Sequence, residues 1–83
     1  MPDIRVQVRL FASYAEAAGR DRMDVVLRAG ATAADCLAAV RAAPWAQRVP
    51  PGPALAINRR YARGDAPLHD GDEVALIPPV AGG

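Results

Sequence analysis

Ile4, Val6, Val8 and Leu10 alternate with Arg5, Gln7 and Arg9. A period of two places the apolar set on one side of a half-buried strand. Ser13 followed by Glu16 has the spacing of a capping box, and Gly19 falls where a helix C-terminal glycine belongs. A helix of one or two turns is therefore predicted after the first strand. Met23, Val25 and Leu27 alternate again and predict a second strand ending near Ala29–Gly30. The closeness of the two strands in sequence favours antiparallel pairing. Thr32, with Asp35 three residues on, marks the start of a second helix. Ala33, Cys36, Leu37, Val40 and Ala43 then keep helical spacing until Pro44 ends it. This main helix, about three turns long, is expected to run to Ala43, to bury Leu37 and Val40, and to be closed by Trp45.

Pro50-Pro51-Gly52-Pro53 reads as a stiff connector, too short to separate domains. Ala54–Ile57 predicts a short strand, Asn58-Arg59-Arg60 a turn, and Tyr61-Ala62-Arg63 a returning strand. An irregular stretch begins at Pro67-Leu68. Asp70-Gly71-Asp72 is a strong turn signal, and Glu73–Ile77 predicts the last strand. The order strand, strand, helix, strand, short strand, strand suits an α+β fold in which a mixed sheet of four or five strands covers one main helix. The final residues, Pro78 to Gly83, leave that body as a flexible tail.

Composition narrows the function classes. The chain has 83 residues and is 52% hydrophobic, but 19 of those residues are alanine. Its bulky apolar residues can thus build one core, and a single domain over residues 1–83 is expected. All ten basic residues are arginine; nine acidic ones leave a net charge of +1. That balance argues against a nucleic-acid surface. No apolar run reaches the length of a membrane span, and Met1-Pro2-Asp3 is no signal sequence, so a soluble cytoplasmic protein is expected, without membrane contact. One cysteine and one histidine leave no disulfide framework, no usual zinc ligand set and no Ser–His–Asp triad.

The individual polar candidates have structural readings. Cys36 lies on the apolar stripe of the main helix and reads as a small hydrophobe. His69 is a loop residue. Asp70, Asp72 and Glu73 lack the spacing of a calcium loop, so no metal is expected. Arg59, Arg60 and Arg63 suit a solvated hairpin, with docking to an acidic partner as the alternative; a single interleaved aromatic, Tyr61, speaks against RNA.

The tail carries the chemistry. Gly82 and Gly83 have no side chains, so their backbone can thread a narrow channel and present a carboxylate inside another protein. A free carboxylate is a poor acyl donor and must first be activated, for example as an acyl-adenylate made from ATP. The plain alternative is an incidental terminus.

Asp70-Gly71-Asp72-Glu73-Val74-Ala75-Leu76-Ile77-Pro78-Pro79-Val80-Ala81-Gly82-Gly83 resembles the C-terminus of the MoaD-type sulfur carriers, the small subunits of molybdopterin synthase. Val8-Arg9-Leu10-Phe11-Ala12 and Leu55-Ala56-Ile57-Asn58 are similar to that family's opening and central strand. The resemblance implies a ubiquitin-like β-grasp fold. It implies that the Gly83 carboxyl is adenylated by a ubiquitin-activating-type adenylyltransferase and turned into a thiocarboxylate by a sulfur donor protein. Pro78, Pro79, Val80, Ala81 and Gly82 would insert into the synthase large subunit, in a heterotetramer, to build the molybdopterin dithiolene from a cyclic pyranopterin. The chain would then be a co-substrate with no bound cofactor, the ATP being used by its partner. Alternation places Ala75 and Ile77 opposite Val74 and Leu76, so Phe11, Tyr61 and Ile77 form a candidate docking patch beside the tail; the alternative is that they complete the core. Related carriers for thiamine, cysteine or tRNA thiolation are the next reading, although Pro78-Pro79 favours molybdopterin. A non-catalytic β-grasp interaction module is the remaining one.

Overall fold

Ile4, Val6, Val8 and Leu10 are all buried on one side of β1, Asp3–Leu10, in a computed structural model that describes residues 3–79. Strand β2, Arg22–Arg28, pairs antiparallel with β1, from Asp3 opposite Arg28 to Arg9 opposite Arg22. The long-range partner of β1 is β5, Glu73–Ile77, which lies parallel on its other side. Strand β3, Ala54–Ile57, runs antiparallel to β5, and β4, Arg60–Ala62, closes the sheet. The order β2-β1-β5-β3-β4 makes a mixed five-stranded sheet with the last strand at its centre. This is the expected α+β, β-grasp arrangement.

One face of the sheet is covered by α2, Ala33–Arg41, whose Ala33, Cys36 and Val40 join Val6, Val8, Val74 and Leu76 in the core. The helix starts where the sequence says. Asp35 N–H donates to Thr32 Oγ1 at 3.3 Å, and Thr32 N–H donates to Asp35 Oδ2 at 2.8 Å, a reciprocal cap. It ends earlier than expected. Ala42 is the C-cap, and Ala43 is extended with ψ 140 because it precedes Pro44. Pro44 then opens a 3₁₀ helix, Pro44–Arg48. Arg41 Nη1 donates to the carbonyls of Ala46 and Val49 at 2.7 and 2.6 Å and ties the two helices together.

Two local expectations are corrected. Leu37 is only partly buried, because the inward stripe runs Ala33–Cys36–Val40 and Leu37 lies on its flank. Ser13 does not cap the first helix. In α1, Ser13–Ala18, the N-cap is Ala12 at φ 49, with no side-chain cap, and the Glu16 N–H that Ser13 would have accepted goes to the Ala12 carbonyl. Tyr14 dictates this entry: it is fully buried and meets Trp45 edge-on, with ring centroids 6.4 Å apart. Gly19 does end α1 in the left-handed conformation, donating to the Ala15 carbonyl. No helix among the described residues is long and apolar enough to cross a membrane.

Candidate docking face and tail root

The turns flanking β5 hold it in place. Asn58 and Arg59 both have positive φ, 50 and 72, which a two-residue turn between twisted strands requires; Arg60 therefore opens β4 rather than belonging to the turn. Asn58 Nδ2 donates to Asp72 Oδ1, and Asn58 Oδ1 accepts from the Glu73 N–H, both at 2.9 Å. Asp72 Oδ2 accepts from the His69 N–H at 2.8 Å, and Asp70 Oδ1 accepts from the Arg5 N–H at 2.8 Å. The acidic residues before β5 are thus committed to clasping this turn to β1 and to the β3–β4 hairpin. Partial burial pushes the Asp72 carboxyl up, but the hydrogen bonds from Asn58 and the His69 N–H, with the nearby His69 side chain, hold it below its ordinary value. His69 itself is an exposed loop residue, its Nδ1 3.8 Å from Asp72.

Strand β5 is bonded on both sides, so the direction of the chain beyond Ile77 is set. Pro78 is buried and Pro79 exposed; neither offers an N–H to continue the ladder. Val80, Ala81, Gly82 and Gly83 lie outside the described residues. The other nucleophile on the chain, Cys36, is fully buried, and desolvation pushes its thiol up to about 11. Almost no thiolate is present there at neutral pH.

Register assembles the sheet's outer face. Arg22, Arg9, Ala75, Ala56 and Tyr61 form one row across all five strands. The two alanines at its centre leave a hollow of about 360 Å³ that Phe11, Tyr61 and Ile77 share. Phe11 is 39% exposed and Tyr61 79%, too open for residues that complete a core, while Ile77 is half-buried at the strand end from which the tail departs. The structure thus brings together the three residues of the sequence-derived patch. It adds Arg59, which the sequence offered as a solvated hairpin residue or a contact for an acidic partner, and Arg9 and Glu73 at the rim, which sequence reasoning missed. Their one signal was position: Arg9 and Glu73 are outward-facing by alternation, as any solvated strand residue would be. A second hollow, at the β2–α2 turn, is lined by Leu27, Arg28 and Asp35, but the Asp35 carboxylate there is already used by Thr32.

Known proteins are similar to this chain in sequence and in shape. The chain is 39% identical over 83 residues to the molybdopterin synthase sulfur carrier subunit of Chlamydomonas reinhardtii, covering 96% of this chain and 100% of that one. The crystal structure of small archaeal modifier protein 1 from Haloferax volcanii superposes with a TM-score of 0.83 at 31% identity, covering 93% of this chain and 99% of that one. A chain from the complex of subunits 1 and 2 of the molybdopterin-converting factor from Helicobacter pylori does so with a TM-score of 0.68 at 25% identity, covering 96% and 100%. Residues 8–83 match the ThiS family, and with a tail root, central strand and outer face built in the same β-grasp frame, the chain belongs to that family.

Proposed function

We propose that the chain is the sulfur carrier subunit of molybdopterin synthase and works as a co-substrate rather than as an enzyme on its own. The near-full-length match to a carrier of that name carries this reading. In the proposed sequence a partner adenylyltransferase lets the Gly83 carboxylate attack ATP, releasing pyrophosphate and leaving an acyl-adenylate. Hydrosulfide, or its equivalent from a sulfur donor protein, then displaces AMP and leaves a thiocarboxylate. The thiocarboxylate sulfur is a softer and better nucleophile than carboxylate oxygen. It attacks an electrophilic carbon of the cyclic pyranopterin inside the large subunit, and an oxygen substituent leaves that carbon as the C–S bond forms. Water then cleaves the acyl–sulfur bond, returning the carboxylate and leaving the sulfur on the pterin.

The geometry supports the docking and presentation steps of that scheme. Anchoring β5 at the sheet centre gives the tail a rigid root, and Pro78-Pro79 stiffens its exit. The apolar hollow beside Ile77 offers the large subunit a docking anchor at the place where the tail starts. The buried, protonated Cys36 leaves the terminal carboxyl as the group available for sulfur chemistry.

A second reading has its own observation, the high structural similarity to small archaeal modifier protein 1. The same activated tail would then acylate an amine on another protein. The chain contains no lysine, so it would not extend itself through its own side chains.

The test is reconstitution with the adenylyltransferase, ATP, sulfide and large subunit. The expected result is an alkylatable thioacid on Gly83 and sulfur transferred to the pterin. Thioacid formation without pterin product, accompanied by adducts on other proteins, would favour the modifier reading.

A further inference from the structure

Within the outer-face row, Arg9 is registered directly against Arg22, a like-charge pairing that a sheet does not favour for its own stability. Arg59 lines the same hollow from the β3–β4 turn. Asp24 shares Arg22's side of β2, and one carboxylate lines the hollow itself. It is Glu73, whose Oε1 stands 3.7 Å from Arg9 Nη1, beyond hydrogen-bond range. Arg9 Nε is buried and, among the described residues, has no hydrogen-bond partner. The guanidinium is held 5.4 Å from the centroid of the Phe11 ring, within cation–π reach. The outer face therefore keeps, at the hollow, a guanidinium whose neighbouring carboxylate stands beyond hydrogen-bond range, on a chain whose net charge is only +1.

We propose that this face selects its protein partner through an acidic side chain. On the surface that receives the tail, a carboxylate enters the alanine-floored hollow and accepts from the Arg9 guanidinium and from Arg59, while Phe11, Tyr61 and Ile77 take apolar neighbours of that carboxylate. The inference rests on the docking reading above and names the chemistry the partner must bring. The floor of Ala56 and Ala75 supplies the space, and the planar guanidinium supplies donors in the fork that a carboxylate fits. Arg22 raises the potential at the site without needing contact. A second copy of the chain is the wrong occupant, since it would bring arginines to arginines. Nucleic acid is disfavoured because a short row of cations beside Glu73 does not track a phosphate backbone.

Binding of the full chain to its large subunit, measured by calorimetry at low and high salt, tests this. Arg9→Leu is expected to weaken binding at low salt by about tenfold or more and to flatten its salt dependence. Arg9→Lys should not restore it, because an ammonium lacks the planar fork of donors that a carboxylate fits. Tyr61→Ala should weaken binding while leaving the salt dependence intact. If Tyr61→Ala weakens binding but Arg9→Leu changes neither affinity nor salt dependence, the acidic anchor is overturned and the docking face stands. If neither substitution matters, the docking face itself falls, and this inference with it. Should Arg9→Leu fail to fold, Arg59→Gln takes its place, and an unaltered salt dependence there overturns the proposal. Binding of a single-stranded oligonucleotide, or self-association seen by sedimentation, that Arg9→Leu abolishes would also overturn it.

Discussion

Asp72 joins three parts of the fold through two oxygens, accepting from the Asn58 side chain and from the His69 N–H. Its carboxyl is held below the ordinary value in the folded state, so the unfolded chain takes up the proton first as acidity rises. The stability this charge contributes is fully present above about pH 4 and is lost as pH falls through the folded value. Asp72→Asn is expected to be less stable than the parent at neutral pH and to show a shallower acid limb, read from urea midpoints at a series of pH values. Equal differences at pH 7 and at about pH 3 would mean the charge contributes nothing. Tyr14 presents the opposite case. Its hydroxyl is buried and has no partner among the described residues, and an unmade hydrogen bond of that kind costs about 1–3 kcal/mol. Tyr14→Phe keeps the ring and its edge contact with Trp45, so it is expected to stabilise the protein by about 1 kcal/mol, raising Tm by a few degrees. A lower Tm would show that the hydroxyl is satisfied after all. Neither residue's role was legible from the sequence. Asp72 reads as a turn former, and its side-chain partner Asn58 comes from 14 positions away; Tyr14 sits in a short alanine-rich stretch and is buried against Trp45.

Among the elements, the strands were the most legible, because alternation writes the pleat directly into the chain: the four apolar positions of β1 are the four buried ones. Helix α2 was legible at its start, where Thr32 and Asp35 cap each other, and less so at its face and end. Spacing alone admits both Cys36 and Leu37 to the apolar stripe, and only the sheet beneath decides that Cys36 is fully buried and Leu37 partly so. That difference is measurable. Val40→Ala removes two methyl groups from a residue 1% exposed and should cost roughly 2–3 kcal/mol. Leu37→Ala, although it removes more atoms, should cost about 1–2 kcal/mol, below the range for fully buried leucines. Chemical denaturation of the two variants gives the order. A larger loss for Leu37→Ala would place it, not Val40, in the centre of the core. The misjudged start of α1 has a different cause: Ser13's preference for the cap position is outweighed by burying Tyr14.

At the scale of the molecule, the Phe11, Tyr61 and Ile77 patch was legible from alternation along β5 and its neighbours, and the tail motif from the two side-chain-free glycines and the resemblance of the run from Asp70 to Gly83. The hollow between them was not. It exists because Ala56 and Ala75 face each other in the register of β3 against β5, and no single strand carries that information. Ile77→Asp tests the patch as a docking surface. The residue is half-buried at the strand end on the outer face, so a charge there should leave the protein folded while weakening large-subunit binding by an order of magnitude or more. An unfolded variant would place Ile77 in the core, and unchanged affinity would remove it from the interface.

The decisive measurement concerns where the chemistry ends. With β5 fixed at the sheet centre, the reach of the terminal carboxyl is counted in residues from Ile77, and each residue of extended chain is worth about 3.3–3.6 Å. Deleting Gly83 withdraws the reacting carbon by that amount, and aligned attack tolerates far less misplacement. The deletion is therefore expected to abolish adenylation and sulfur delivery while leaving Tm unchanged, since the residues that make the core and the turn clasp are untouched. Gly82→Val should act in the same direction by adding a branched side chain where the tail must thread a channel. Cys36→Ala is the matching control: it removes a thiol that burial keeps protonated, so sulfur transfer should persist with only a modest loss of stability. The readout is sulfur incorporated into the pterin by the reconstituted system, with alkylation of the thioacid followed by intact mass. Transfer that survives the Gly83 deletion, or that disappears in a folded Cys36→Ala variant, would move the chemistry from the terminal carboxyl to another group.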